Sequence, residues 1–252
     1  LELAEDLVKF KSTNDNLEDI NNCLDFIDDY FSEPDFKVRR HESEGVPSLV
    51  VTFGEENPDL MLHGHIDVIE AEEEMFEPER KDGKLYGRGT ADMKAGVAAL
   101  MQVMNDLKDE KPSMGCMVVS DEELGGFNGA GYLFDDHYSP DFAISAEPNN
   151  IDGYLDIITD QKGILQVKVS MEGLSAHGSR PWKGENAAEK FMEKWPEIRD
   201  LFTDHRDGEE WVTTVNLGKV KAGESTNKVP EKVEAWLDIR TTREYPNREV
   251  LS

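Results

Sequence analysis

His65 and Asp67 stand two residues apart just after the apolar run Leu60–Leu62. Strand side chains repeat with period two, so both point to one side, a spacing that suits a metal-bound imidazole oriented by a carboxylate. Asp92 follows the turn Gly87-Arg88-Gly89 and precedes the amphipathic stretch Met93–Leu107. Glu122 and Glu123 follow the continuous apolar run Met114–Val119, and Glu147 follows Phe142–Ile144. One imidazole with several carboxylates is a borderline-hard donor set, better matched to zinc, cobalt or manganese than to copper or an iron–sulfur cluster. Two such ions about 3.5 to 4 Å apart can share a bridging carboxylate, for which Asp92 is the natural choice, and clamp a water as nucleophile. The doublet Glu122-Glu123 divides into two roles, because neighbours at a strand end face different ways: one carboxylate binds metal, the other takes the proton of the attacking water.

These residues need a scaffold that brings them together. Leu3, Leu7 and Val8 predict a short helix ending near Ser12, and Leu17, Ile20, Leu24, Ile27 and Phe31 predict a longer one. Phe36–Arg40, Ser48–Phe53, Leu60–Leu62, Met114–Val119 and Phe142–Ile144 read as strands, the last two as buried ones. Met93–Leu107 and Gly129–Phe134 read as helices. Strands alternating with helices imply an α/β domain whose mainly parallel sheet carries helices on both faces. In such sheets ligands gather beyond the carboxyl ends of the strands, and three strands here end in candidate ligands: His65, the Glu122-Glu123 doublet, and Glu147. The acidic run Glu70–Glu79 reads as a solvated loop.

After Gln161 the pattern changes. Residues 164–173 alternate as a half-exposed strand, followed by a loop over Leu174–Glu185, a helix over Ala187–Leu201, and strands over Thr213–Val220 and Val233–Arg240. This β-α-β-β order opens a ferredoxin-like unit, with a second helix starting near Asn247 and the last strand absent. Two domains are therefore expected, 1–161 and 162–252.

The 252 residues carry 54 acidic and 27 basic side chains, a net charge of −27. That excess speaks against nucleic acid or an anionic membrane as partner and suits a salt-rich cytoplasm, where screening softens self-repulsion. Cys23 and Cys116 form no CxxC pair, so neither a disulfide framework nor a thiolate zinc site is indicated, and Cys116 reads as a small hydrophobe in its strand. No apolar run approaches the length of a membrane span, and the first residues are acidic rather than signal-like; a cytoplasmic protein is expected.

With HGHID, YGRGTADMK, SDEELGG, AEP and SAHGSRPWKGENA in this order, the sequence resembles along essentially its whole length the metallopeptidase family of aminoacylase, carboxypeptidase G, acetylornithine deacetylase and succinyl-diaminopimelate desuccinylase. The resemblance implies that His65, Asp92 and Glu147 hold one divalent metal ion, that Asp92 bridges to a second ion held by Glu123, that Glu122 is the general base, and that Asp67 orients His65. It implies a cis peptide between Asp92 and Met93. It further implies that residues from about Lys162 form an inserted dimerisation lid, with His177 reaching across a homodimer to polarise the scissile carbonyl and Asn227 and Arg240 contacting substrate. The expected reaction is zinc- or cobalt-assisted hydrolysis of an N-acyl amino acid, acetylornithine or succinyl-diaminopimelate. The alternatives are a dipeptidase or carboxypeptidase on the same metals, or a non-catalytic metal-binding dimerisation module.

Other readings stand beside these. His63 is expected to be structural, since only His65 has an aspartate two places on, and His41, His137 and His205 are expected on the surface. Asn227 can be a turn former before Val229-Pro230, and Arg240 a structural ion pair. The resemblance also implies a last histidine ligand from a C-terminal segment, yet no histidine follows His205. The sequence is therefore expected to be a fragment of a longer enzyme, impaired as it stands.

Overall fold

The structure, a computed structural model, describes residues 1–148, 157–202, 211–243 and 247–250. It divides into two compact units, residues 1–156 and 157–252.

In the first unit the order is α1 (Glu2–Val8), α2 (Leu17–Tyr30), β1 (Lys37–Ser43), β2 (Val46–Thr52), β3 (Leu60–His65), the short strands β4 (Glu79–Lys81) and β5 (Lys84–Tyr86), α3 (Ala95–Asp106), β6 (Met114–Val119), α4 (Tyr132–Asp136) and β7 (Phe142–Ser145). α2 starts where the Asn16 side chain accepts from the Asp19 N–H at 3.2 Å, capping an orphan donor, and it buries Ile20, Cys23, Leu24 and Ile27. These residues join Leu7 of α1 and Val97, Met101 and Met104 of α3 against one face of the sheet. Leu133 of α4 and Tyr138 pack with Val50, Met61 and Met117 on the other face. α1 stops at Val8, short of the expected Ser12, because Ser12 and Thr13 instead bond to residues 66–68.

The described residues form a five-stranded sheet in the order β1-β2-β6-β3-β7. The expected mainly parallel sheet is corrected to a mixed one: β6-β3 and β3-β7 are parallel, whereas β1-β2 and β2-β6 are antiparallel. The physical reason lies in the connection between β1 and β2. Only Glu44 and Gly45 separate them, both at positive φ (49° and 81°), and so tight a turn makes a hairpin, since a parallel pair needs a long crossover. β6 is buried along its whole length because it lies between two strands and under both layers. β7 is corrected as well. It lies at the sheet edge, and its Phe142 and Ile144 are 74% and 53% exposed rather than buried.

The acidic run is more than a solvated loop. Phe76 within it is buried, and a hairpin of β4 and β5 follows, turning at Asp82-Gly83 with φ of 52° and 75°. That Asp-Gly pair was a readable hairpin signal.

In the second unit β8 (Gly163–Glu172), α5 (Ala187–Arg199), β9 (Thr214–Ala222), β10 (Lys232–Thr241) and α6 (Asn247–Val250) follow one another. β8, β10 and β9 form an antiparallel sheet in that order. Asn186 caps α5 by accepting from the Ala188 N–H at 3.0 Å, and Ala187 and Phe191 pack on Val233 and Ala235. The strand residues between these point to the open face, which gives β8 and β10 their alternation. Among the described residues no helix is long and apolar enough to cross a membrane.

Candidate metal centre

The parallel strands set the site. His65 pairs with Val119 and His63 with Ser145, so the carboxyl ends of β3, β6 and β7 lie side by side and their next residues emerge together. His65 is wholly buried. Its Nδ1 donates to the Asp67 carbonyl at 2.9 Å and lies 3.3 Å from Asp67 Oδ1. A carbonyl only accepts, so Nδ1 carries a proton and Nε2 is the ring nitrogen turned outward, the one that a metal ion would take.

Around Nε2 stand Asp92 Oδ1 at 3.0 Å, Glu147 Oε2 at 3.4 Å and Glu122 Oε2 at 3.8 Å. One donor atom each from His65, Asp92 and Glu147 fits within 4.8 Å, a group that could hold a metal ion. The electrostatics fit a cation as well. Burial, then the charge of Asp92, push Glu147 up to about 7, and the same two causes raise Glu123. Burial alone would lower His65, but the bond to and charge of Asp67, with the charge of Glu122, hold it at about 9. Crowded carboxylates that gather protons in this way are relieved when a divalent ion takes the protons' place.

Asp92 reaches His65 because the chain bends there. Residues 90–94 form an irregular turn in which Asp92 has non-helical φ and ψ of −120° and 99°, so α3 starts at Ala95 rather than at Met93. The Asp92–Met93 peptide is cis. Glu123 sits on a short turn that Asp67 and Asp121 hold. Its N–H donates to Asp67 Oδ2 at 3.0 Å, and Asp121 accepts the Asn128 N–H at 2.8 Å.

Of the residues named from sequence, then, the structure brings His65, Asp67, Asp92, Glu122, Glu123 and Glu147 together in the first unit. His63 lies beside them, bonded through Nδ1 to Ser145 Oγ at 3.1 Å, and burial lowers it to about 4. His41 departs from the surface expectation: it is half-buried and 3.0 Å from the Tyr138 hydroxyl. His137 is exposed against Tyr132, and His205 lies outside the described residues.

In the second unit His177 is exposed and bonded to Ser179 Oγ at 2.8 Å. Its loop meets that of Asn227, where the Gly178 N–H donates to the Asn227 carbonyl at 2.7 Å. Arg240 is engaged by Asp238, two bonds at 2.8 and 3.1 Å along the open sheet face. Sequence reasoning gave no role to Lys94, Asp121 or Ser12. The signal for Lys94 was a charged residue heading an otherwise apolar helix.

The profile of peptidase family M20/M25/M40 matches residues 61–243, most of the chain and every residue of this cluster. The chain belongs to that family. Members of peptidase family M20 are metal-dependent hydrolases, which agrees with the donor set found here. The chain is 30% identical over 260 residues to the succinyl-diaminopimelate desuccinylase of Rickettsia canadensis, covering 94% of this chain and 66% of that protein. It is 31% identical over 254 residues to the protein of the same name from Nautilia profundicola, covering 95% and 67%. The chain thus spans about two thirds of the length of these relatives. In fold it is similar to a tripeptidase from Staphylococcus aureus (TM-score 0.70, 23% identity, 99% of this chain and 68% of that one). It is likewise similar to an M20 metallo-carboxypeptidase from Sulfolobus solfataricus (TM-score 0.68, 17% identity, 98% and 72%).

Proposed function

We propose that this protein hydrolyses the amide bond of an N-acyl amino acid and is of the succinyl-diaminopimelate desuccinylase type. The observation that carries the reading is the convergence of Asp92, Glu147 and Glu122 on His65 Nε2 within 3.8 Å, in a chain about 30% identical to desuccinylases. His65, Asp92 and Glu147 would hold one divalent ion, zinc or cobalt, and Asp92 with Glu123 a second. Such ions supply Lewis acidity toward the amide carbonyl and toward water. Asp67 fixes the imidazole. Glu122 takes the proton of the attacking water as the C–O bond forms, then delivers it to the nitrogen as the C–N bond breaks, releasing a carboxylate and an amine.

Residues 162–252 are read as a ferredoxin-like lid through which two copies dimerise. His177 of a second copy would stabilise the oxyanion, Asn227 would contact the substrate, and Arg240 would exchange Asp238 for the substrate carboxylate. The charge of −27 and the two buried thiols support a soluble, salt-rich, reducing setting without a polyanionic partner.

The decisive variant is Glu122→Gln in the natural protein. Turnover of N-succinyl-diaminopimelate should fall about a hundred- to ten-thousand-fold while zinc affinity stays near wild type. Unchanged turnover removes Glu122 from the role of base, whereas zinc binding without any turnover by the wild type favours a non-catalytic module. Faster turnover of dipeptides than of N-acyl amino acids by the wild type moves the substrate class to peptides.

A further inference from the structure

Lys94 is wholly buried, and among the described residues its ammonium bonds the Phe10 carbonyl, at 2.7 Å. An apolar chain of the same length would fill that space without burying a charge, so the ammonium needs a reason. The reason is what Phe10 is joined to. Two residues on, Ser12 Oγ donates to the Ile66 carbonyl at 2.6 Å, the Val68 N–H donates to the Ser12 carbonyl at 3.1 Å, and Thr13 bridges to Val68. Residues 10–13 are thus fastened along 66–68, the peptide that carries Asp67.

The other end of Lys94 closes the turn that carries Asp92. Its N–H donates to the Gly89 carbonyl at 2.8 Å, and its stem lies over Gly89 so closely that a Cβ there would come within 3.1 Å of Lys94 Cδ. His65 and Asp92 are far apart in sequence, and the path between them runs from the Asp92 turn through Lys94 to Phe10, then through Ser12 to Ile66.

We propose that Lys94 is a positioning residue of the metal centre: anchored on the Phe10 carbonyl, it holds the Asp92 turn against residues 66–68, so that Asp92 meets His65 as a shared cation requires. Lys94 touches neither ion nor substrate, and its role rests on the metal-centre reading above.

The probe is zinc alone, its affinity for the whole chain measured by competition with a chromophoric chelator, beside the melting temperature of the zinc-free chain. Lys94→Met keeps the stem and deletes the ammonium. Zinc affinity should fall ten- to a hundredfold, the range for groups that orient metal ligands. Met104→Val, a core change on α3, serves as the control: it should lower the melting temperature and leave affinity unchanged. Wild-type affinity in Lys94→Met overturns the proposal, as does an affinity loss in Met104→Val that matches it. If Lys94→Met does not fold, Ser12→Ala decides through the opposite arm. It should weaken zinc about fivefold, and unchanged affinity overturns the proposal. Equal zinc binding by wild type and His65→Ala overturns the metal-centre reading itself, a failure distinct from that of the bracket alone.

Discussion

Replacing Gly96 by alanine sets helix propensity against a close backbone approach at the site. Gly96 is the second residue of α3, and a Cβ there would lie 2.7 Å from the Ala146 carbonyl oxygen and 3.2 Å from its Cβ. A carbon and a carbonyl oxygen rest at about 3.3 to 3.6 Å, so about 0.6 Å or more must be cleared. Alanine in place of glycine favours a helix by about 1 kcal/mol, whereas inserting a methyl into a packed contact costs about 1 to 3 kcal/mol. The net is a loss of about 0 to 2 kcal/mol, which for a chain of this size lowers melting by no more than about 8 °C. The larger effect falls on Glu147. The Ala146 N–H is pinned to the His63 carbonyl at 3.0 Å, so relief comes by shifting the next residue, whose Oε2 stands 3.4 Å from His65 Nε2. Metal–ligand distances tolerate about 0.2 Å, so a shift of that size should weaken zinc at least about tenfold, or about 1.4 kcal/mol. Chelator competition and thermal unfolding read the two effects separately. A variant that melts higher than wild type and binds zinc equally well would falsify the reasoning, because the methyl would then have gained its helix propensity without disturbing Glu147.

Two further predictions concern other groups. Asp67→Asn should weaken zinc about ten- to a hundredfold and destabilise the chain by about 1 to 3 kcal/mol. Asp67 Oδ2 accepts the Glu123 N–H while Oδ1 faces His65 Nδ1, and an amide must turn its NH₂ toward one of these donors; chelator competition and melting check both, and wild-type values sink the idea. In the second unit, hydrogen bonds from Lys168 and then Lys232 hold Glu234 down at about 2, against an ordinary 4.5. A carboxylate depressed on folding adds stability that is present above about pH 4.5 and is lost as pH falls toward 2. Carbon-13 titration should place the Glu234 midpoint near 2, and Lys168→Met with Lys232→Met should return it toward 4.5; a midpoint that stays put in the double variant counts against the pairing.

Much of this protein was legible because local chemistry wrote it. The apolar stripe of α2, the buried run of β6 and the alternation of β8 each carry a period that sequence alone displays, and all three elements lie close to where the pattern put them. The donor types at three strand ends, and the spacing of His65 and Asp67, likewise followed from periodicity and ligand chemistry. The turn residues Glu44-Gly45 and Asp82-Gly83 are hairpin signals carried by the sequence as well, and the first of them makes the sheet mixed.

What tertiary structure alone decided was which distant groups meet and which surfaces are covered. Apolar Phe142 and Ile144 look buried in sequence, yet strand order leaves β7 at an edge with both side chains exposed. Lys94 is only a charge at the head of an apolar helix until the fold buries it and sets its ammonium on the Phe10 carbonyl. Sequence period records the environment of one element at a time, whereas the distance from His65 to Asp92 depends on contacts among three separate segments, and no local pattern encodes such a sum.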